Sequence, residues 1–234
     1  MAHDSSNADR GLNPGAGDNT VRVFGMIEAV FDICYLVSGI VTGLVLLLSP
    51  SVGAGILAGV MALVLIAGDA FHLVPRMILI FTGKEEKLRP ALGRGKQITS
   101  ITMTFFYILL WQLGVVIFAP SDILVWSCIV YALALIRVIL CLHPGNRWTE
   151  RYPPVGWGIA RNIPLLFQGA CAAALYFVWR YKVHSLRFVW LAVILSFVFY
   201  LPVVLRSHKN RKVGMLMLPK SAAYIWLLTM FLSA

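Results

Sequence analysis

An all-α integral membrane protein with seven transmembrane helices is predicted from three observations. Of the 234 residues, 59% are hydrophobic and only 13% charged, whereas a soluble domain carries about a quarter charged and just under half apolar residues. A water-soluble fold of this size cannot bury such an excess. Apolar stretches recur along the chain that are long enough, at roughly 20 residues, to cross a hydrocarbon core of about 30 Å as helices. These stretches do not alternate polar with apolar residues, and in lipid an unbroken apolar segment satisfies its own backbone hydrogen bonds only as a helix. Together the observations exclude a disordered chain, a secreted disulfide scaffold and a conventional soluble enzyme.

Residues 1–20 (MAHDSSNADRGLNPGAGDNT) are polar and rich in Gly, Asn, Asp and Ser, with no apolar stretch that could serve as a signal-peptide core. They predict a disordered cytoplasmic tail, leaving residues 21–234 as a single membrane domain. Within it the predicted spans run from Phe24 to Leu48, Val52 to Phe81, Ile98 to Ala119, Ile123 to Leu142, Trp157 to Trp179, Leu186 to Leu205 and Val213 to Ser233. The second is the longest, so it must tilt, project or kink, and Pro75 near its end supplies a kink. Trp126, Trp157, Trp179 and Trp190 fall near predicted span ends, where interfacial anchors belong.

The charges set a topology. The tail and the loops GKEEKLRPALGRGK, HPGNRWTERYPPVG and RSHKNRK carry 13 of the 20 Lys and Arg residues, whereas the alternate breaks carry three, Arg180, Lys182 and Arg187. The positive-inside bias predicts an N-terminus in the cytoplasm and a C-terminus outside, with the chain in the plasma (cytoplasmic) membrane. A formal charge of +10 invites a nucleic-acid partner, but juxtamembrane polybasic loops point instead to anionic inner-leaflet head groups, and no nucleic acid is expected. PRMILIFTG, leaving span two, resembles IRVILCLHPG, leaving span four; KQITSITMTFFYILLW in span three loosely matches VGMLMLPKSAAYIWLL in span seven. The spans can therefore be read as one helix plus three like-oriented helical hairpins.

Four cations remain inside spans, and with them the functional candidates. An ionisable side chain at the centre of a span costs at least a few kcal/mol unless it is paired, hydrated or snorkelling. Span one carries Glu28 and Asp32, and span two carries Asp69, His72 and Arg76; each set falls on one helical face. Span four adds Arg137, span five Arg161 and Asn162, and span seven Lys220. All lie in the predicted cytoplasmic halves, which predicts a polar pocket open toward the cytosol. Guanidinium groups bind phosphate or carboxylate through paired hydrogen bonds, so this set suits a small anionic or zwitterionic ligand or a lipid head group. Two other roles compete: the arginines are close enough to span ends to snorkel, and Asp69 and Lys220 could form an ion pair between helices. Thr99, Ser100, Thr102, Thr104 and Tyr200 add neutral hydroxyls if their faces point inward.

Sharper chemistry is missing from the sequence. The five histidines form no HxxxH or HExxH pair, so the zinc ligands of ceramidase-like or adiponectin-receptor-like seven-span proteins are lacking and no metal is expected. Cys34, Cys128, Cys141 and Cys171 have no CxxC spacing and are expected to be free, buried thiols. There is no Walker loop, GxSxG or GxGxxG, and no cofactor is expected. A lysine in the last span resembles heliorhodopsins, but span three has no carboxylate to act as a counterion. The stretch GDAFHLVP, residues 68–75, resembles the Gly-Asp-x-x-x-Leu-x-Pro segment of the lysoplasmalogenase-like membrane family. That resemblance implies a membrane-embedded hydrolase acting on a lipid, with Asp69 as acid/base. The family pairs its aspartate with a second one in a later span, and after span two only Asp122, at a predicted surface, is available. Three classes are thus open: a binding or transport protein, an embedded enzyme, and an assembly subunit whose polar residues only link helices.

Overall fold

The computed structural model describes residues 14–48, 54–206 and 211–234. Seven long helices follow in order: α1 (Pro14–Leu48), α2 (Ala54–Thr82), α3 (Glu85–Phe118), α4 (Leu124–Leu142), α5 (Val155–Val178), α6 (Val189–Arg206) and α7 (Met217–Met230). Short 3-10 turns cover Pro144–Asn146, Arg211–Leu216 and Phe231–Ser233. Among the described residues there is no strand. Among the described residues, five segments are long and apolar enough to cross a membrane: Phe24–Leu48, Ala54–Thr82, Glu85–Phe118, Leu124–Leu142 and Val213–Ser233. Val189–Leu205 is a shorter apolar helix, and α5 carries Arg161, Asn162 and Gln168. The chain is a polytopic all-α protein of membrane type.

Two expected boundaries move. The stretch read as a cytoplasmic loop, residues 83–96, is helical from Glu85 onward. Glu85 and Glu86 in the first turn favour the positive end of the helix dipole, and Arg89 pairs with Glu85 at 3.7 Å one turn on. The polarity that looked like a loop is the solvated start of a 34-residue helix, which at 1.5 Å per residue is about 51 Å long and outreaches a bilayer core. Helix α1 likewise begins at Pro14, so residues 14–20 of the expected tail are helical, while residues 1–13 lie outside the described residues.

The helices close a circuit. Each packs on its neighbour in sequence, α7 returns to α1, and α3 also touches α5. Helix α3 lies innermost: Phe106, Tyr107, Leu110, Leu113 and Phe118 are fully buried, and Tyr107 reaches both α6 and α7. Helix α4 is at the rim. Its buried residues, Val130, Ala134, Arg137 and Cys141, form one stripe at helical spacing, and the rest of its surface is exposed or half-exposed. The cysteines are all free, but only Cys141 is buried; Cys34 and Cys128 are exposed on outward faces of α1 and α4, and Cys171 is half-buried. The expectation of four buried thiols is corrected accordingly, because a lipid-facing surface accepts an apolar thiol as readily as a core does.

The α2–α3 hairpin is the tightest unit. Gly83, at φ +67°, ends α2 in the left-handed conformation and donates from its N–H to Leu79 O at 2.8 Å. Only Gly83 and Lys84 separate the two helices. Farther in, Pro75 lacks the N–H that would bond to the carbonyl of Phe71 four residues earlier. Gly95 of α3 lies directly against that carbonyl, where any Cβ would collide with it. One turn on, Thr99 places its hydroxyl between Gly68 O at 2.7 Å and Gly95 O at 2.9 Å. Glycine at 95 thus lets two backbones approach just beside His72 and one turn from Asp69.

Candidate binding site

On α1 and α2 the ionisable residues meet one another. Glu28 and Arg76 form an ion pair between the two helices, with side chains 23% and 36% exposed. One turn further in, Asp32 is buried and its Oδ2 has no hydrogen-bond partner. Another turn along α1, Tyr35 donates its hydroxyl to Asp69 Oδ2 at 2.7 Å, with both residues buried. Asp32 and Asp69 are within electrostatic reach of each other. His72, one turn from Asp69 on α2, has a buried Nδ1 without a partner and lies within reach of Arg76, Lys96 and Lys220.

Lys220 enters this group from α7. It is 6% exposed, and its ammonium sits 4.8 Å from the Tyr200 ring centroid and 5.2 Å from that of Tyr224. Two electron-rich rings partly compensate an ammonium removed from water. Asp69 acts on Lys220 through space, but no carboxylate among the described residues lies within 4.0 Å of the lysine. The interhelical ion pair expected as one role for Asp69 and Lys220 is thus not closed within 4.0 Å in this geometry.

The arginines of α4 and α5 have other partners. Arg137 is 1% exposed; its Nε and Nη2 donate to Ser100 O at 3.3 and 3.2 Å, and its Nη1 donates to Arg161 O at 3.3 Å. It clasps α3 and α5 onto α4 through backbone oxygens. Arg161 donates to Asn146 Oδ1 at 2.8 Å and stacks over Trp148 at 4.1 Å, which secures the α4–α5 connection. Asn146 itself donates to Leu140 O and His143 O. Asn162 donates to Gly158 O at 2.8 Å and accepts from Tyr200 at 3.0 Å, so it positions one of the two rings beside Lys220. Among the described residues no carboxylate lies within 4.0 Å of Arg137 or Arg161; Tyr200 and Cys141 lie within reach of both.

The structure therefore gathers Glu28, Asp32, Asp69, His72, Arg76 and Lys220 around α1, α2 and α7, linked to Asn162 through Tyr200, and holds Arg137 and Arg161 in neighbouring packing roles. Thr99, Thr102 and Thr104 give their hydroxyls to carbonyls of the preceding turn and, for Thr99, to α2. Three buried hydroxyls were missed: Tyr107 lies 3.4 Å from Ser196 and 3.3 Å from Tyr224. Ser196 spends its hydrogen on Val193 O at 2.7 Å, so Tyr107 donates to Ser196 and Tyr224 to Tyr107. One signal was available, because the loose match between spans three and seven aligns Tyr107 with Tyr224. Lys96 was also missed, having been read as a loop cation; it lies within reach of His72, Arg76 and Arg161.

Among the described residues no three His, Cys, Asp or Glu side chains come together as a metal site. The open depressions along Gly83–Lys87 and at Ala70, Phe71, Val74 and Pro75 are lined by other residues. No protein-family model matches this chain, and no curated protein and no solved structure is significantly similar to it.

Proposed function

We propose that this protein binds, and carries across or presents within the membrane, a small anionic or zwitterionic solute or lipid head group at the Asp69–Lys220 cluster. The observation that carries this reading is Lys220, a buried ammonium held by two tyrosine rings with no carboxylate in contact. A purely structural lysine would be expected to close onto Asp69, since an unpaired charge in the membrane interior is expensive. The charge bias supports a reading with the α2–α3 turn, the α4–α5 connection and the N-terminus in the cytoplasm, in a seven-span, N-in, C-out chain of the plasma membrane, with basic helix ends meeting anionic inner-leaflet lipid. The hairpin reading gains support from Tyr107 and Tyr224, aligned in the sequence match and in contact across the bundle.

The test is native mass spectrometry of protein purified in mild detergent. A small anion or zwitterion, or a lipid, that co-purifies with the parent chain and is lost from Lys220→Met supports the proposal. Equal recovery from both would end it. A second reading, an embedded enzyme acting on a lipid, is favoured by one observation: His72 Nδ1 is buried and unpartnered one turn from Asp69, which leaves that nitrogen available to accept a substrate's proton. Product formation from lipid extracts by the parent but not by Asp69→Asn would select it.

A further inference from the structure

The charges of the cluster are segregated by helix. All three carboxylates, Glu28, Asp32 and Asp69, stand on α1 and α2. The buried cations facing no carboxylate contact, Arg137 and Lys220, stand on α4 and α7, with half-buried Arg161 on α5 between them. Lys96 on α3 is exposed, and Arg76 on α2 is already paired with Glu28. Each side keeps a buried charged group with unspent capacity: Asp32 Oδ2, like His72 Nδ1 on a ring that can stay neutral, has no hydrogen-bond partner, and Lys220 has rings but no anion in contact. Asp69, fixed by Tyr35 through one oxygen, is within electrostatic reach of both.

We propose that the site takes one molecule bearing both an ammonium and an anionic group, the ammonium lodged at Asp32 and Asp69 and the anion at Lys220. This rests on the binding function proposed above and narrows it from anions in general to zwitterions in a fixed orientation. A simple anion at Lys220 would face Asp69 and leave Asp32 unpartnered. A simple cation at Asp32 would meet Arg76 and leave Lys220 without a counter-charge. Only a ligand with both charges satisfies both leftovers, because each charge then occupies the side of opposite sign.

The experiment is thermal stabilisation of the purified full chain by matched probes. O-phosphoethanolamine and β-alanine carry both charges, inorganic phosphate and propionate only the anion, and ethanolamine only the cation. Vesicles of phosphatidylethanolamine and of phosphatidylglycerol test the same chemistry on a lipid. At least one zwitterion should act at roughly tenfold lower concentration than its single-charge counterparts. Asp32→Asn, and separately Asp69→Asn, should erase that preference while Lys220→Met removes the response altogether. Stabilisation by phosphatidylethanolamine alone assigns the ligand to a head group, and by the soluble zwitterions alone to a free solute; either supports the proposal. Phosphate or propionate acting as well as its zwitterion, or a preference that survives both carboxylate substitutions, overturns the zwitterion assignment and leaves the anion reading standing. Silence from every probe overturns both.

Discussion

The α1–α2 side of the bundle and the α4–α5 side carry similar numbers of polar residues and use them differently. On α1 and α2, side chain meets side chain: Glu28 pairs with Arg76, Tyr35 bonds Asp69, and Asp32 Oδ2 and His72 Nδ1 are left over. On α4 and α5, side chains mostly meet backbone: Arg137 bonds the carbonyls of Ser100 and Arg161, Asn162 that of Gly158, and Asn146 those of Leu140 and His143. A carbonyl partner is fixed by the fold and has no second state, so a guanidinium clasped by carbonyls is packing. A carboxylate whose neighbours are other side chains, with an oxygen to spare, can exchange partners. An ionisable residue inside a span is therefore sorted by what it touches rather than by its depth.

That contrast can be broken at four places. Arg137→Ala should have the largest effect, removing a fully buried side chain and the three hydrogen bonds that tie α4 to α3 and α5, for about 3 kcal/mol or more of stability; a sharp fall in detergent melting temperature and in monodisperse yield checks it. Full stability in that variant would move Arg137 to the binding side of the comparison. Gly95→Ala should cost about 1–3 kcal/mol, since the added Cβ meets the Phe71 carbonyl and forces α2 and α3 apart. Tyr35→Phe should cost about 1–2 kcal/mol through the lost bond to Asp69, with a change in ligand response that Gly95→Ala at matched stability lacks. Glu28→Gln should cost less than about 1 kcal/mol, as expected of a partly exposed pair; a larger loss in the same melting assay would show that the pair is shielded and structural.

Much of the fold was legible because hydropathy reports span length directly, and the helix bounds differ from the expected spans mainly where polar residues continue a helix beyond the apolar run. Residues 85–97 illustrate the cause: composition marks solvation, and a solvated helix and a loop share it. At the site, the same-face pairing of Glu28 with Asp32, and of Asp69, His72 and Arg76, followed from helical spacing. What spacing within one helix cannot show is the rotation of one helix against another, and that rotation turns Arg137 onto Ser100 O while leaving Lys220 between two tyrosines. The contact of Tyr107 with Ser196 was illegible for a related reason, since a hydroxyl in a span usually bonds its own preceding turn and only the three-dimensional packing shows which one crosses to a neighbour.

The two-residue turn at Gly83 and Lys84 also constrains how the chain crosses its membrane. Two extended residues reach at most about 7 Å, a fraction of a hydrocarbon core of about 30 Å. The end of α2 and the start of α3 must therefore lie at the same face, so two helices of membrane-spanning length cross in opposite senses with Lys84, Glu85, Glu86 and Lys87 at their shared tip.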